Sequence, residues 1–525
     1  MRRGALVSAG PHATMGGMEK KKKYHAGASA KPSPSRPRAH AAQSKAPHAA
    51  SGRFRTSTKR GAAKAAGSNA SPASHSQAAH QGRKARAEAA AQAEKSKQAS
   101  AHSARRSGLF CPIDGRCGGC ELLRIPYKKQ LRAKQAQMEE LFADLLDDRA
   151  QVHAIAGMRD PRYYRNKVVS PYVAVYDRRS RKRRVLCGMY ERGTHRVIDS
   201  KECLIENQEA KRIILTVRDL MGNFGMTPYD EDADTGFLRH VQVRVGHTSG
   251  EVMVTLITRE EAFPASRAFV RALKRAHPSI TTIVQNINTR KTNVIMGDKE
   301  RTLYGPGFIL DSLCGLTFRI SSKSFYQVNA DQTEVLYTRA IEMARLTGCE
   351  TVMDAYCGTG TIGLVAARGV NGGPGAARVI GVEERPDAVA DAANNARHNG
   401  IEAAEFVAAD AGAYMRELAA RAAHLDVLLM DPPRAGSTPD FLKAACALSP
   451  RRIVYISCNP NTQARDAGYL VEHGYRIVEM QPVDMFPHTP HVENILAFER
   501  ADLDEGPRCG CDREADAVWA PVCDN

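Results

Sequence analysis

The chain changes its pattern of hydrophobic and polar positions near residue 327. Between about 163 and 325, apolar and polar residues alternate in strand-like runs, and the His247–Gly250 turn joins two of them as a predicted hairpin. An amphipathic helix is predicted from about 127 to 146, and a second helix from about 265 to 276. The pattern therefore predicts a mixed, mainly antiparallel α+β central domain.

Beyond residue 327 the chain alternates between helical patterns and short apolar runs. A helix is predicted at about 331–346, and the apolar runs that follow are TVMDA, ARVIGVE, AEFVAAD, LDVLLMD, RRIVYIS, YRIVEMQ and NILAFER. Helical segments separate the first six runs, which predicts a Rossmann-like, doubly wound α/β sheet of seven strands. Only a loop separates the last two runs, so we expect an antiparallel hairpin at the sheet edge.

The two ends of the chain have a different composition. Residues 1–107 carry 22 Lys and Arg against 3 acidic residues, whereas the whole chain has a net charge of +18. This segment has few large apolar residues, which predicts a disordered basic tail. Such a tail either attracts nucleic acid or only adds solubility, and we favour nucleic acid. The predicted domains are thus a tail at 1–107, a central domain at 108–326, an α/β domain at 327–500 and a second disordered tail at 501–525.

Several classes of protein are disfavoured by the sequence. It contains no apolar run long enough for a transmembrane helix and no convincing secretory signal. Its 13 cysteines, an odd number over a long chain, are typical of cytosolic thiols and ligands rather than of a disulfide framework. We therefore expect a cytoplasmic protein without a membrane association, and the sequence gives no sign of an obligate protein partner.

A glycine-rich turn follows the first strand of the predicted α/β sheet. In open parallel sheets ligands bind beyond the carboxyl ends of the strands, where Cys357–Gly363 lies. Glu383, at the end of the second strand, is placed to accept hydrogen bonds from ribose hydroxyls. The glycines alone leave NAD and S-adenosylmethionine open. The turn Asp431-Pro432-Pro433 after the fourth strand is typical of methyltransferases that act on nitrogen or on bases, and it favours S-adenosylmethionine.

Cys458 follows the fifth strand, in the segment SCNP. A buried strand cysteine is the common alternative, but Pro460 ends the strand at the ligand edge of the sheet. A thiolate that adds to C6 of uracil lets C5 attack a methyl donor, after which a base must remove the C5 proton. Glu493, just before the last strand, is the candidate base; the alternative is a solvated surface charge.

Cys111, Cys117 and Cys120 form a dense set of possible metal ligands. Zinc sites usually show two C-x-x-C pairs, and only one is present here, so a [4Fe–4S] cluster suits the spacing better. Cys203 is the candidate fourth ligand. Cys187 is its rival, although the strand-like surroundings of Cys187 suggest a core position.

Six motifs occur in one order between residues 109 and 500: C-x5-C-G-G-C, F-Y-Q-V-N, D-x-Y-C-G-T-G, D-P-P-R, S-C-N-P and H-V-E. Together they resemble the RNA uracil-5-methyltransferase family, in particular its iron–sulfur 23S ribosomal RNA members. The resemblance implies a target uridine that is flipped out of its stack. It implies cluster ligands at Cys111, Cys117, Cys120 and Cys203, S-adenosylmethionine contacts at Gln327, Tyr356, Glu383 and Asp431, a nucleophile at Cys458 and a base at Glu493.

One departure from the family concerns the binding of RNA. Many relatives carry a β-barrel RNA-binding domain before the cysteines, where this chain has its basic tail. The basic run Arg178–Arg184 lies between two strand-like segments and either supplies part of the RNA contact or is a solvated hairpin tip. Cys509, Cys511 and Cys523 lie outside the resemblance and are either metal ligands or, as we favour, disordered thiols.

The resemblance implies methylation of uracil C5 in 23S ribosomal RNA, giving 5-methyluridine. The same reaction on a transfer RNA is a close alternative, and a non-catalytic RNA-binding or ribosome assembly protein is a third. The cysteine motif favours ribosomal RNA, and the presence of both Cys458 and Glu493 argues against the non-catalytic alternative.

Overall fold

A computed structural model describes residues 109–177, 181–263 and 265–502. The predicted tail at 1–107, nearly all of the predicted tail at 501–525, and Cys509, Cys511 and Cys523 lie outside these residues. No helix within the described ranges combines the length and the apolar content needed to cross a lipid bilayer.

The first described elements pack against the α/β sheet, whose other strands come from the C-terminal part of the chain. Helix α1 (Tyr127–Phe142) buries Met138 and Phe142 in the same core as the later α/β strands, and a 3-10 turn at Ala143–Leu145 follows it. Strand β1 (Gln151–Val152) then pairs in parallel with a strand near the end of the chain. The predicted boundary between the domains at 326 and 327 stays a prediction, but this early segment belongs to the α/β core.

The central domain is built on a seven-stranded sheet. Its elements are β2 (Lys167–Asp177), β3 (Lys182–Tyr190), β4 (Val197–Asp199), α2 (Gln208–Met221), β5 (Leu238–Val245), β6 (Val252–Thr258), α3 (Ser266–Ala276), β7 (Ile280–Ile287) and β8 (Lys299–Tyr304). The strand order is β4-β3-β2-β5-β6-β7-β8, and every pair is antiparallel except β6 with β7. The predicted mixed, mainly antiparallel arrangement is confirmed, as is the β5–β6 hairpin.

Helix α2 was not predicted from the sequence. Asn207 caps it by accepting hydrogen bonds from the backbone N–H groups of Glu209 and Ala210. Its apolar face, which includes Ile213 and Val217, is buried against the central sheet. Three residues of the basic run, Lys182–Arg184, are exposed residues within β3. Residues 178–180 of the run lie outside the described ranges.

A two-stranded hairpin and a helix lead into the α/β domain. Strands β9 (Phe308–Leu313) and β10 (Leu316–Ser321) pair antiparallel, and helix α4 (Ala330–Ala344) follows. The remaining elements are β11 (Thr351–Ala355), α5 (Thr361–Arg368), β12 (Arg378–Glu383), α6 (Pro386–His398), β13 (Ala404–Ala408), α7 (Ala411–Ala420), β14 (Val427–Met430), α8 (Pro439–Leu448), β15 (Arg452–Ser457), α9 (Pro460–Glu472), β16 (Tyr475–Val483) and β17 (Glu493–Arg500).

All seven predicted strands of this sheet are present, but the sheet has eight strands. Its order is β1-β16-β17-β15-β14-β11-β12-β13. The predicted antiparallel hairpin of β16 and β17 is confirmed, whereas its place at the edge is wrong. Strand β17 lies between β15 and β16, and β1 covers β16 through the parallel pair Gln151 and Glu479. A two-residue strand carries no periodic pattern, so β1 is not predictable from the sequence.

Candidate active site

One cavity at the carboxyl ends of β11, β12, β14 and β15 collects the residues predicted for cofactor and chemistry. Its volume is about 530 Å³, within the usual range for small-molecule sites. The wall includes all six predicted residues: Gln327, Tyr356, Glu383, Asp431, Cys458 and Glu493. The folded chain thus brings together side chains separated by as many as 166 positions, and their individual roles stay predictions.

The glycine-rich turn lies against the carboxylate of Glu383. Gly358 donates its backbone N–H to Glu383 Oε2 at 3.1 Å, and Arg385 donates its own to Oε1 at 3.1 Å. Gly360 has a φ of +78°, and a Cβ there would lie 2.8 Å from the Phe406 ring. Only glycine therefore fits this position. The two backbone donors fix the orientation of the Glu383 carboxylate at the cavity wall.

Two further carboxyl groups close to the turn are withdrawn from water. Asp354 Oδ2 accepts the backbone N–H of Gly363 at 2.8 Å, while its buried Oδ1 has no hydrogen-bond partner among the described residues. Burial raises the pKa of Asp354 to about 7 and the pKa of Asp431 to about 7. The pKa values of Asp354 and Asp431 therefore lie near neutral pH rather than in the usual acid range of an aspartate.

Cys458 and Glu493 lie at the adjoining ends of two paired strands. Ser457, the last residue of β15, pairs with Asn494 of β17, so Cys458 directly follows this pair and Glu493 directly precedes it. Both residues line the cavity, and the charge of Glu493 acts on the Cys458 thiol. Asn494 donates to Gln463 Oε1 on α9 at 2.9 Å, and Gln463 donates back to the carbonyl of Tyr455 at 2.9 Å. These bonds lock the strand ends to the helix that begins just after Cys458.

The electrostatics of this pair depend on Arg434 of the D-P-P-R turn. Burial raises the pKa of Glu493 to about 8, the charge of Asp431 adds to the rise, and Arg434 opposes it. Burial also raises the pKa of the half-buried Cys458 thiol, helped by the charges of Glu493 and Asp431. Arg434 counteracts this through its positive charge and a hydrogen bond to the thiol. Arg434 is therefore the charged side chain that favours a Cys458 thiolate.

The loop between β16 and β17, residues 484–492, is held from several sides before it reaches Glu493. Lys134 of α1, only 2% exposed, contacts Asp484 Oδ1 at 2.5 Å and donates to the carbonyl of His491 at 2.9 Å. Tyr127 donates to Asp484 Oδ2 at 2.7 Å. His488 is fully buried with a φ of +68°, and its carbonyl accepts the backbone N–H groups of residues 121 and 122. The loop is therefore fixed by α1 and by the segment just after the cysteine motif.

The four cysteines predicted as cluster ligands surround one small cavity: Cys111, Cys117, Cys120 and Cys203. Burial raises the pKa of all four thiols, and the charges of the other three raise that of Cys120 further, which shows that they are neighbours. No group of three or more Cys, His, Asp or Glu in the described part of the chain has the arrangement of a metal site. Cys187 is fully buried in the central core, as predicted.

Sequence reasoning missed four other residues of the cavity wall. Arg434 and Phe325 belong to the motifs D-P-P-R and F-Y-Q-V-N, but neither residue was assigned a role of its own; Phe325 is 67% exposed. Arg165 and Lys167 also line the cavity although they belong to the central domain. Nothing in the local pattern around these two residues distinguishes them from ordinary surface charges.

Comparison with known proteins is consistent with this geometry. The model of the family described as tRNA (Uracil-5-)-methyltransferase matches residues 126–501. An RNA methyltransferase of Halalkalibacterium halodurans is 42% identical over 394 residues, which cover 74% of this chain and 82% of that protein. One from Staphylococcus aureus strain MSSA476 is 41% identical over 389 residues, covering 74% of this chain and 83% of that protein.

Among solved structures, the chain is similar to the tRNA (uracil-54, C5)-methyltransferase of Pyrococcus abyssi in complex with S-adenosyl-L-homocysteine. The TM-score is 0.58 at 28% identity, and the match covers 73% of this chain and 86% of that one. With a family model that matches most of the chain and relatives above 40% identity, this chain belongs to the RNA uracil-5-methyltransferase family.

Proposed function

We propose that this protein methylates C5 of uracil in RNA with S-adenosylmethionine as methyl donor, giving 5-methyluridine. The observation that carries the proposal is that Cys458 and Glu493, which flank the paired strand residues Ser457 and Asn494, line the same cavity as the glycine-rich turn. The chemistry needs one thiol and one general base beside the same uracil ring, and the shared cavity supports this assignment.

Gln327, Tyr356, Glu383 and Asp431 are the residues that we propose to hold S-adenosylmethionine. The backbone donors that orient Glu383 leave its carboxylate able to accept bonds from ribose hydroxyls. The similar Pyrococcus abyssi enzyme was solved with S-adenosyl-L-homocysteine, the demethylated form of this cofactor. When bound, S-adenosylmethionine supplies an electrophilic methyl group.

In this proposal Cys458 acts first and Glu493 last. The Cys458 thiolate forms a bond to C6 of uracil, and the electron pair of the C5–C6 double bond becomes available at C5. C5 then bonds to the methyl carbon as the bond from that carbon to the donor sulfur breaks, which leaves S-adenosyl-L-homocysteine. Glu493, in its ionised form, then accepts the proton from C5, the C5–C6 double bond forms again and the bond between C6 and the Cys458 sulfur breaks. A carboxyl group with a pKa of about 8 is suited to this exchange, because general bases act best near the working pH.

A pair of variants tests these roles on unmodified RNA. Cys458→Ala should abolish methyl transfer while leaving S-adenosylmethionine binding intact. Glu493→Gln should allow attack and methyl transfer but block proton removal, so protein and RNA should accumulate as a covalent adduct that survives denaturing gels. Methylation by the alanine variant would exclude Cys458 as nucleophile, and normal release without adduct would exclude Glu493 as base.

We propose 23S ribosomal RNA as the substrate, on the strength of the cysteine motif that resembles the iron–sulfur members. Transfer RNA is the second candidate, because both the matching family model and the Pyrococcus abyssi enzyme are described by that substrate. Mapping 5-methyluridine in both RNAs from cells with and without this protein decides between them. A site that disappears from transfer RNA alone would refute the ribosomal assignment.

We further propose that Cys111, Cys117, Cys120 and Cys203 hold a [4Fe–4S] cluster. Support comes from the chemistry of the donor set, four thiols around one cavity, which suits this cluster. Such a cluster would tie the two segments that carry the cysteines. Protein purified without oxygen should be brown with about four irons per chain, and Cys117→Ser should lose the colour. Stoichiometric zinc in a colourless protein would contradict the proposal.

The domain at 108–326 and the basic tail at 1–107 are the proposed RNA-binding parts. Removing the tail should weaken RNA binding at low salt without changing the methylated uridine, since contacts to phosphates carry no sequence information. The difference between the two forms should shrink as salt rises. Equal binding at low salt would show that the tail does not contribute.

A further inference from the structure

Three basic side chains of the central domain crowd together beside the cavity. Lys167 of β2 pairs directly with Arg244 of β5 in the antiparallel register. Arg165 precedes Lys167 by two positions, and both line the cavity. Arg244 is 1% exposed and points its guanidinium at the backbone carbonyls of Ser324 and Tyr326, which lie at 3.2 and 3.3 Å.

In the described part of the chain, no acidic side chain forms an ion pair with any of these three basic groups. The Nε atoms of Arg165 and Arg244 are buried without a hydrogen-bond partner there. Asp311 is near enough for its charge to act on Arg244. Its carboxylate oxygens, however, already accept backbone N–H groups of residues 247–249.

The arrangement costs stability in the absence of a ligand. Like charges directly opposite each other on paired strands destabilise a sheet, and a buried charge without a partner is expensive. In agreement, burial first and then the charges of Arg244 and Arg165 lower the pKa of Lys167 to about 8. A site that retains such a cluster is well suited to receive an anion.

We propose that Lys167 and Arg165, backed by Arg244, bind a phosphate group of the RNA strand that carries the target uridine. This inference rests on the proposed function. The cavity wall has an acidic side around Glu383, suited to the hydroxyls of the cofactor, and this basic side next to the exposed ring of Phe325. A nucleotide whose base faces Cys458 can then leave its backbone phosphate at the basic side, where it contributes affinity and fixes the strand.

The test measures binding in a Cys458→Ala background, so that no covalent adduct forms. Single-stranded oligouridylate is titrated over a range of salt concentrations against the parent, Lys167→Met, Lys167→Arg and the double variant Lys167→Met with Arg165→Met. S-adenosyl-L-homocysteine is titrated against the same proteins. Lys443→Met on α8 is the matched control, because Lys443 is exposed and lies outside this cavity wall.

Lys167→Met should weaken oligouridylate binding at low salt and make the slope of log affinity against log salt shallower by about 0.7, the value for one lost single-strand phosphate contact. The double variant should weaken binding further without changing the slope by more than about 0.7, because both side chains hold the same phosphate, whereas Lys167→Arg should largely restore the parent behaviour. Lys443→Met should change neither the slope nor the affinity. The affinity for S-adenosyl-L-homocysteine should be the same in all five proteins.

Three results would overturn the inference. Unchanged oligouridylate binding in the double variant would exclude a phosphate site, and loss of only S-adenosyl-L-homocysteine binding would assign the anion to the cofactor carboxylate. An equal loss with Lys443→Met would show a general charge effect. Failure of the proposed function is seen separately, as absence of 5-methyluridine when the unsubstituted protein is supplied with S-adenosylmethionine and unmodified RNA.

Discussion

Two lysines that are withdrawn from solvent face opposite electrostatic surroundings. Lys134 is paired with Asp484 and also donates to a backbone carbonyl of the loop that precedes Glu493. Lys167 faces Arg244 across a strand pair and has no acidic partner among the described residues. Lys134 is a structural group, here called the brace, because its charge is neutralised by Asp484 inside the protein. Lys167 retains an unused charge at a cavity, which is the mark of a binding group rather than of a structural one.

The comparison predicts a large loss of stability at the brace. Lys134→Met should lower the free energy of unfolding by about 3–5 kcal/mol, because it leaves the buried Asp484 carboxylate without its counter-charge. Urea unfolding of the RNA-free protein measures this. The double variant Lys134→Met with Asp484→Asn should recover much of the loss, since no uncompensated charge then remains. A single variant as stable as the parent would remove the distinction between the two lysines.

Glu493 extends the comparison of the two lysines to an acidic residue, because it is buried near a second acid, Asp431. Its pKa is raised from 4.5 to about 8, first by burial and then by Asp431. Between these pH values the unfolded chain releases a proton that the folded chain keeps, so this group lowers stability as pH rises through the window. Glu493→Gln should therefore gain stability relative to the parent from pH 5 to pH 8. A difference that stays constant with pH would show that Glu493 is not held protonated.

The smallest expected effect is at Lys167. Lys167→Met should leave the free energy of unfolding unchanged or raise it by up to about 1 kcal/mol, because it relieves the opposition to Arg244. Urea unfolding beside Lys134→Met provides the direct contrast. A loss as large as that at Lys134 would show that Lys167 also serves as a structural brace.

The same variant has a distinctive pH dependence. The pKa of Lys167 is lowered from 10.5 to about 8, so between these values the folded chain releases its proton before the unfolded chain does. The parent therefore regains stability as pH rises through this window, and the advantage of Lys167→Met should fade. An advantage that grows with pH would contradict the assigned direction.

Much of the α/β fold was predictable because its central strands β11, β12, β14 and β15 are buried on both faces. Such strands are short continuous apolar runs, and turn residues separate them clearly from the helices. The edge strand β1 was not predictable, since Gln151 and Val152 show no pattern and gain their place only by pairing with β16. Helix α2 was predictable in principle, because Asn207 is a typical N-cap residue and precedes apolar residues at helical spacing.

The candidate site also has a part that was predictable from the sequence and a part that was not. Cys458, Glu493 and the glycine-rich turn each occupy a strand end, and strand ends of one sheet meet at a common edge. The glycines themselves did not distinguish the cofactor, because Gly358, Gly360 and Gly363 have the G-x-G-x-x-G spacing of dinucleotide-binding turns. The basic group at Lys167 depends on the register of β2 with β5, which a single sequence does not reveal.

The parallel pairing of β1 with β16 also has a consequence for synthesis. Gln151 and Glu479 are about 330 residues apart, so at roughly 5–20 residues per second the edge strand leaves the ribosome some 15–65 seconds before its partner is made. During that interval the later strands are not yet available to cover the apolar residues Met138 and Phe142 of α1. The candidate site is therefore completed only after β16 and β17 have been synthesised, because β17 carries Glu493 and β16 pairs with both β1 and β17.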